Sequence, residues 1–166
     1  MTDVIKAMGV AAFGTRLRRL SERLDREVEA IYRAEGVTFQ PRWFPVIRVL
    51  HGKGEASVGE LAAMIGITHA AVSQVWAELL RAGLIRARSD EADKRRQLLT
   101  LAPKGQRYAE TLAPLWQAIA AATEALLADA APKMLATIDK IEAALDSEAM
   151  VDRVARQRKT TRGKNA

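Results

Sequence analysis

A mainly helical fold with one small β-hairpin is predicted by three observations. Apolar residues recur at steps of three or four through most of the 166 residues, which is the period of an amphipathic helix. Two strand-like runs, Leu84–Ser89 and Gln97–Leu101, flank a single charged tip. Ser57 and Thr68 stand immediately before two of the helical stretches, and both residue types favour the N-cap position.

Taken in order, Val4, Met8, Phe13, Leu17, Leu20, Leu24, Val28, Ile31 and Tyr32 predict a long amphipathic helix over Asp3–Ala34. Gly9 and Gly14 divide it into a short and a long piece. "AEGVTFQP" (Ala34–Pro41) is a turn. A second helix follows and ends near Leu50, with Pro41 and Pro45 confined to its start because proline suits only the first helical turn. "HGKGE" (His51–Glu55) is expected to be a loop. "SVGE" (Ser57–Glu60) matches a capping box, in which Ser57 caps a short helix and Glu60 reaches back. "GIT" (Gly66–Thr68) is a tight turn. Thr68 then caps "HAAVSQVWAELLRA", and Gly83 suits the left-handed position after it. Beyond the hairpin the chain is helical again, near Pro103–Ala128 with a kink or break at Pro114, then from about Pro132. The last stretch, 151–166, is polar and basic and is expected to fray.

Composition narrows the function. Hydrophobic residues make up 49%, enough for a core, and the net charge is +6. A basic balance favours an acidic partner, nucleic acid ahead of a membrane surface. There is no cysteine, which excludes disulfides, thiolate nucleophiles and cysteine-based zinc sites. No apolar run approaches the roughly 20 residues of a membrane span. "MTDVIKAMGV" lacks a basic region followed by an apolar core, so no signal peptide is read there. A cytoplasmic location is expected.

The order of elements carries more. A capped short helix, a three-residue turn with glycine, a second helix and a charged hairpin make a helix-turn-helix followed by a wing. Leu61, Ala62 and Ile65 are expected to face inward, with Ile67 plugging the turn. Val72, Val75, Trp76 and Leu79 give the second helix a packing stripe. The other face holds His69, Ala70, Ser73, Gln74 and Ala77, which are short or polar and leave room for approach to a major groove. Glutamine can bond adenine bidentately, and the helix N-terminus at Thr68 favours a phosphate. Across Arg81–Arg107 eight basic residues face three acidic ones, a net +5 of the whole chain's +6. Such a balance suits contact with the phosphate backbone and approach to the minor groove. The DNA-contact candidates are Thr68, His69, Ala70, Ser73 and Gln74 on the helix, with Arg88, Lys94, Arg95 and Arg96 on the wing. The unit spans about residues 45–102 of a single domain over 1–150.

"SVGELAAMIGITHAAVSQVWAELLRAGLIRARSDEADKRRQLLTLAPKG" resembles the MarR family of winged-helix transcription regulators. The marks are Glu60-Leu61-Ala62, Val72-Ser73, Leu79, Gly83-Leu84-Ile85, Asp93-x-Arg95, Leu99-Thr100 and Gly105. The resemblance implies a homodimer built from terminal helices, here about 3–34 and 103–150. It also implies binding to a near-palindromic double-stranded operator, and repression relieved by a small molecule. Asp93 is expected to brace the wing and Arg95 to serve wing structure or backbone contact. Family wings often carry an arginine just before that aspartate. Here the stretch is "SDEAD", and Lys94 or Arg95 is expected to take that place. "MGVAAFGTRLRRLSERL" with "PRWFP" is similar to a subgroup often fused to an N-acetyltransferase domain. The 166 residues leave no room for that domain, so its activity is not carried over.

Dimerisation is also expected on physical grounds, because the apolar stripes of the terminal helices exceed what a small winged unit can cover. A symmetric pair would hold two recognition helices about 34 Å apart, one turn of DNA. Tyr32, Arg42, Trp43, His51 and Trp116 are candidates to line a pocket for a small aromatic or anionic effector. Neither histidine, His51 or His69, has a partner at metal-ligand spacing, so no metal and no cofactor are expected. No nucleophile–base pair, phosphate-cradling glycine loop or paired catalytic acids are present, and an enzyme is not expected. The alternatives are a winged-helix module that binds protein, or a regulatory partner of a separate acetyltransferase.

Overall fold

The computed structural model describes residues 2–164, the last three by backbone alone. The chain divides into two compact units, Met1–Trp116 and Gln117–Ala166. The division falls inside one long helix, and each unit has its own internal contacts.

The first unit opens with α1 (Val4–Ala7), a 3-10 turn (Gly9–Ala12) and α2 (Phe13–Ala34). Asp3 caps α1 by accepting from the Lys6 N–H and takes two bonds from the Arg19 guanidinium. The break falls at Gly9, whose φ is +56°, and Gly14 is absorbed into α2. Another 3-10 turn (Pro41–Trp43) leads into α3 (Phe44–Lys53). This helix runs past Leu50 through the first three residues of the expected loop, and Lys53 favours its C-terminal end electrostatically. The last residue of that loop, Glu55, opens β1 (Glu55–Ser57).

The capping box predicted at Ser57 is present, with Glu60 N–H donating to Ser57 Oγ and Ser57 N–H to Glu60. It opens α4 (Val58–Ile65). Gly66 closes α4 at φ +73°, a left-handed conformation that glycine adopts without a Cβ penalty. The chain bends by 116° into α5 (His69–Arg81), within the range of a helix-turn-helix. Ile67, expected to plug the turn, is instead exposed, because Leu61 and Val72 already close the helix pair beneath it.

The hairpin is β2 (Ile85–Ser89) and β3 (Gln97–Leu101). The sheet is antiparallel in the order β1-β3-β2, with Leu99 facing Ala56 on one side and Ala87 on the other. Leu84, Ile85 and Leu99 are buried with Val46, Ile47, Leu50, Leu61, Val72 and Leu79. These residues form the core that holds the sheet against α3, α4 and α5.

Helix α6 (Pro103–Ala130) runs through Pro114 without a break. Ala109, Leu112 and Trp116 are buried on either side of the proline, and that packing outweighs the lost backbone bond. In the second unit α7 (Met134–Ser147) and α8 (Met150–Lys164) follow. The stretch expected to fray over 151–166 is therefore helical as far as Lys164, and Asn165 and Ala166 lie outside the described residues. Arg153 and Arg156 both pair with Glu148 and anchor the start of α8.

Gly105 sits where α6 crosses the start of the hairpin. A Cβ there would lie 1.9 Å from the Leu84 carbonyl oxygen, which accepts the Ala102 N–H at 2.9 Å. The clash is with backbone, so relief requires moving the helix or the strand. Gly105→Ala should destabilise the chain by about 1–3 kcal/mol, the usual range for overpacking, measured by urea unfolding. Unchanged stability would contradict this close approach.

Candidate nucleic-acid interface

The surface that matters is defined by what α5 buries. Thr68 caps the helix by accepting the Ala71 N–H at 3.2 Å. Val72, Val75 and Leu79 are buried, and Trp76 is partly so. That stripe fixes the rotation of the helix about its axis. His69, Ala70, Gln74 and Ala77 are consequently exposed on the opposite side, with Ser73 half-buried among them. Ser73 Oγ donates to the His69 carbonyl at 2.9 Å, so the hydroxyl faces outward as an acceptor. Thr68, His69, Ala70, Ser73 and Gln74 are thus brought together as the sequence predicts.

A second constraint acts further along α5. Glu78 accepts from Arg42 Nε at 3.0 Å, from Arg42 Nη2 at 2.8 Å and from Trp43 Nε1 at 2.8 Å. Its side chain is 19% exposed. The Trp43 indole and then the Arg42 guanidinium hold the Glu78 carboxyl below its ordinary range. Charge-assisted bonds of this kind are stronger than neutral ones. The sequence reading missed Glu78. Its one signal is that it is the sole acid between Thr68 and Arg81.

The same contacts place the pocket candidates. Tyr32, Trp43 and Trp116 are buried. Phe39 packs edge-on against Tyr32 and Trp43 at ring separations of 5.1 and 5.6 Å, and Trp116 lies 5.7 Å from Phe39 and 5.0 Å from Phe44. Trp116 Nε1 donates to the Tyr32 hydroxyl at 3.1 Å. These rings pack against one another in the core. Arg42 is engaged by Glu78, and His51 is exposed in the last turn of α3. Aromatics at helical spacing pack this way whenever their polar atoms find partners.

The wing divides its cations into two groups. Arg88 makes two bonds to Glu55 across the sheet, at 3.0 and 2.9 Å. Arg96 reaches Ser57 Oγ and Glu60 and lies 3.5 Å from Asp90. Both arginines were expected to contact DNA. In the free chain they tie the wing to β1 and α4. Glu60, which also takes a bond from Lys53, has its pKa lowered to about 2, first by the Ser57 N–H and then by Lys53.

Lys94 and Arg95 are different. Arg95 is 96% exposed and lies 3.6 Å from Asp93, a long and solvated pair worth little. The Asp93 carboxylate accepts the Arg95 N–H at 3.0 Å, and its carbonyl accepts the Arg96 N–H at 2.8 Å. Asp90 closes the other side of the tip by accepting the Ala92 N–H. The tip is a pair of carboxylate-stapled turns that hold Lys94 and Arg95 outward. Among the described residues no group of histidine and acidic side chains is arranged to hold a metal ion.

Residues 35–96, from the turn after α2 to the end of the wing tip, match the model of the MarR family. Among solved structures the chain is similar to a probable transcriptional regulator from Pseudomonas aeruginosa. The identity is 25% and the TM-score 0.56, over 80% of this chain and 96% of that one. It is similar to BpsR of Bordetella bronchiseptica at 24% identity and a TM-score of 0.57, over 81% and 98%. Its likeness to MepR of S. aureus, solved with DNA, has a TM-score of 0.66 at 18% identity, over 80% and 98%. No curated protein sequence matches it. These findings establish the winged-helix fold, and residues 35–96 carry the pattern of the MarR family.

Removing the Glu78 carboxylate would leave the Trp43 N–H and the Arg42 guanidinium without their acceptor. Glu78→Ala should cost about 1–3 kcal/mol of unfolding free energy, the penalty for an orphaned buried donor, and Glu78→Gln less because its amide oxygen can still accept. Urea denaturation of the two variants checks this. A Glu78→Ala variant as stable as the parent would show that the clamp is not a structural constraint.

Proposed function

We propose that the chain is a dimeric, sequence-specific DNA-binding transcriptional regulator that acts as a repressor. The observation that carries this reading is the pairing of two surfaces in one unit. One is the exposed, small and uncharged N-terminal face of α5, and the other is a wing tip that holds Lys94 and Arg95 outward. A face without bulk can approach base edges in a major groove. Two solvated cations beside it can meet the phosphate backbone or the minor groove. Thr68 adds the N–H-bearing end of α5, which favours a phosphate. MepR, whose fold this chain shares, is solved with DNA.

The dimer rests on unpartnered apolar surface. Phe13, Leu17, Leu20, Leu24 and Ile31 form one stripe along α2, and all five are exposed. In the second unit Leu135, Ile138, Ile141 and Leu145 are exposed along α7. Contiguous apolar faces on this scale mark association sites. A two-fold axis between copies would give two α5 helices a palindromic target.

Release by a small aromatic or anionic molecule is part of the same reading. It is supported by BpsR, whose DNA binding is regulated by 6-hydroxynicotinic acid. The packed cluster of Tyr32, Trp43 and Trp116 means that such an effector would bind beside those rings and not among them. No single helix among the described residues is long and apolar enough to cross a membrane, and we place the chain with its DNA in the cytoplasm. Its N-terminal likeness to regulators fused to acetyltransferases points to a separate acetyltransferase as one protein partner.

Selection from random duplex DNA at about 0.15 M salt should enrich a palindrome with half-sites one helical turn apart. Arg95→Ala should weaken binding to every sequence and lower the salt slope by about one. Salt-sensitive binding without enrichment would contradict base reading by α5. In sedimentation, Leu20→Glu combined with Leu24→Glu should convert the dimer to monomer and abolish palindrome binding. A dimer that persisted would move the interface away from α2.

A further inference from the structure

We infer that α5 reads A·T pairs, so that adenine and thymine, not guanine, dominate the selective positions of each half-site. This rests on the proposed placement of α5 in a major groove, and it follows from the chemistry that the exposed face does and does not carry.

Four side-chain chemistries discriminate bases in the major groove. Arginine or lysine donates to guanine, aspartate or glutamate accepts from cytosine, asparagine or glutamine pairs with adenine, and apolar groups contact the thymine methyl. From Thr68 to Leu80 the chain has no arginine or lysine. Its one carboxylate, Glu78, is occupied by Arg42 and Trp43. Both the guanine and the cytosine chemistries are therefore missing from the first three turns. Gln74 is exposed, and its amide has no partner among the described residues. Ala70 and Ala77 flank it on the same face, and Ile67 is 40% exposed at the turn just before the helix. These groups offer methyl contacts and no hydrogen bonds, which fits thymine.

Three other polar groups need placing. The Ser73 hydroxyl proton is used by the His69 carbonyl, leaving an acceptor for an amino group. His69 offers one ring N–H when neutral, a single bond at the helix end nearest a phosphate. Arg81 lies on the same face, but seven residues beyond Gln74, about 10 Å along the axis. Its Nε donates back to the Ala77 carbonyl at 3.3 Å, and at that distance from the helix N-terminus it meets backbone and not base edges. The wing adds a preference of the same sign, because narrow A-tract minor grooves attract cations such as Arg95.

The test is selection with the full chain, run in parallel on the parent, Gln74→Arg, Gln74→Ala and Arg81→Ala. Both sites are on the surface, and helix content by circular dichroism checks folding. The parent should select half-sites whose most restrictive positions are A·T, with one invariant adenine. Gln74→Arg should switch that position alone to guanine. Gln74→Ala should flatten it, by roughly 5- to 150-fold in relative affinity, the range for a bidentate pair. Arg81→Ala should weaken all sequences alike. A parent half-site built on guanines that Gln74→Ala leaves unchanged would overturn the inference while leaving sequence-specific regulation intact. A parent that enriches no sequence would overturn the underlying reading and the inference together.

Discussion

Glu78 accepts three hydrogen bonds from Arg42 and Trp43, and the placement of the exposed face of α5 depends on them. A helix has one free rotation about its axis and one free tilt. The buried stripe of Val72, Val75 and Leu79 removes the rotation, because turning the helix would expose it. The Thr68 cap holds one end, and Glu78 pins the other half to the turn before α3. Trp43 in turn packs on Phe39, and Phe39 on Tyr32 of α2. The helix that carries the apolar stripe and the helix that presents Gln74 are therefore joined through one packed aromatic cluster. In a dimer built on α2, this connection is what would convert a fixed interface into a fixed separation between two reading helices.

The wing follows the same economy of charge. Counting cations along the hairpin treats them as equivalent, and the structure shows that they are not. Arg88 and Arg96 hold the hairpin to β1 and α4 through Glu55, Ser57 and Glu60. Lys94 and Arg95 are left at a tip whose shape is set by Asp90 and Asp93. The acidic residues that lower the net charge of the wing are thus the ones that give it a defined form. A rigid tip loses less entropy on meeting a phosphate than a disordered arm would.

Much of this was legible in the sequence because it is local. The capping box at Ser57–Glu60, the Thr68 cap, the glycine after α5 and the stripe at Val72, Val75 and Leu79 are encoded within a few residues of where they act. What could not be read is what joins distant segments. Strand β1 is three residues long, too short to show alternation, and exists because β3 has a free edge to pair. Glu78 and Arg42 are 36 residues apart, and no spacing rule links them. The same holds for Arg88 with Glu55 and Arg96 with Glu60. Tyr32, Trp43 and Trp116 carried an ambiguous signal, because aromatics line pockets and fill cores alike. Their rings pack on one another, with Trp116 bonded to Tyr32 and Trp43 bonded outside the cluster to Glu78. Ile67 went the other way: its apolar character suggested burial, but the helix pair closes without it.

The account stands or falls on which face of α5 meets the duplex. The structure of the full chain bound to its selected palindrome measures this directly. The account predicts two copies related by a two-fold axis, with α5 N-termini in successive major grooves about 34 Å apart. Gln74 should lie against base edges, with Lys94 and Arg95 on the flanking backbone or minor groove. A complex in which α5 turns its 69–77 face to solvent, or binds DNA through α8 alone, would contradict it.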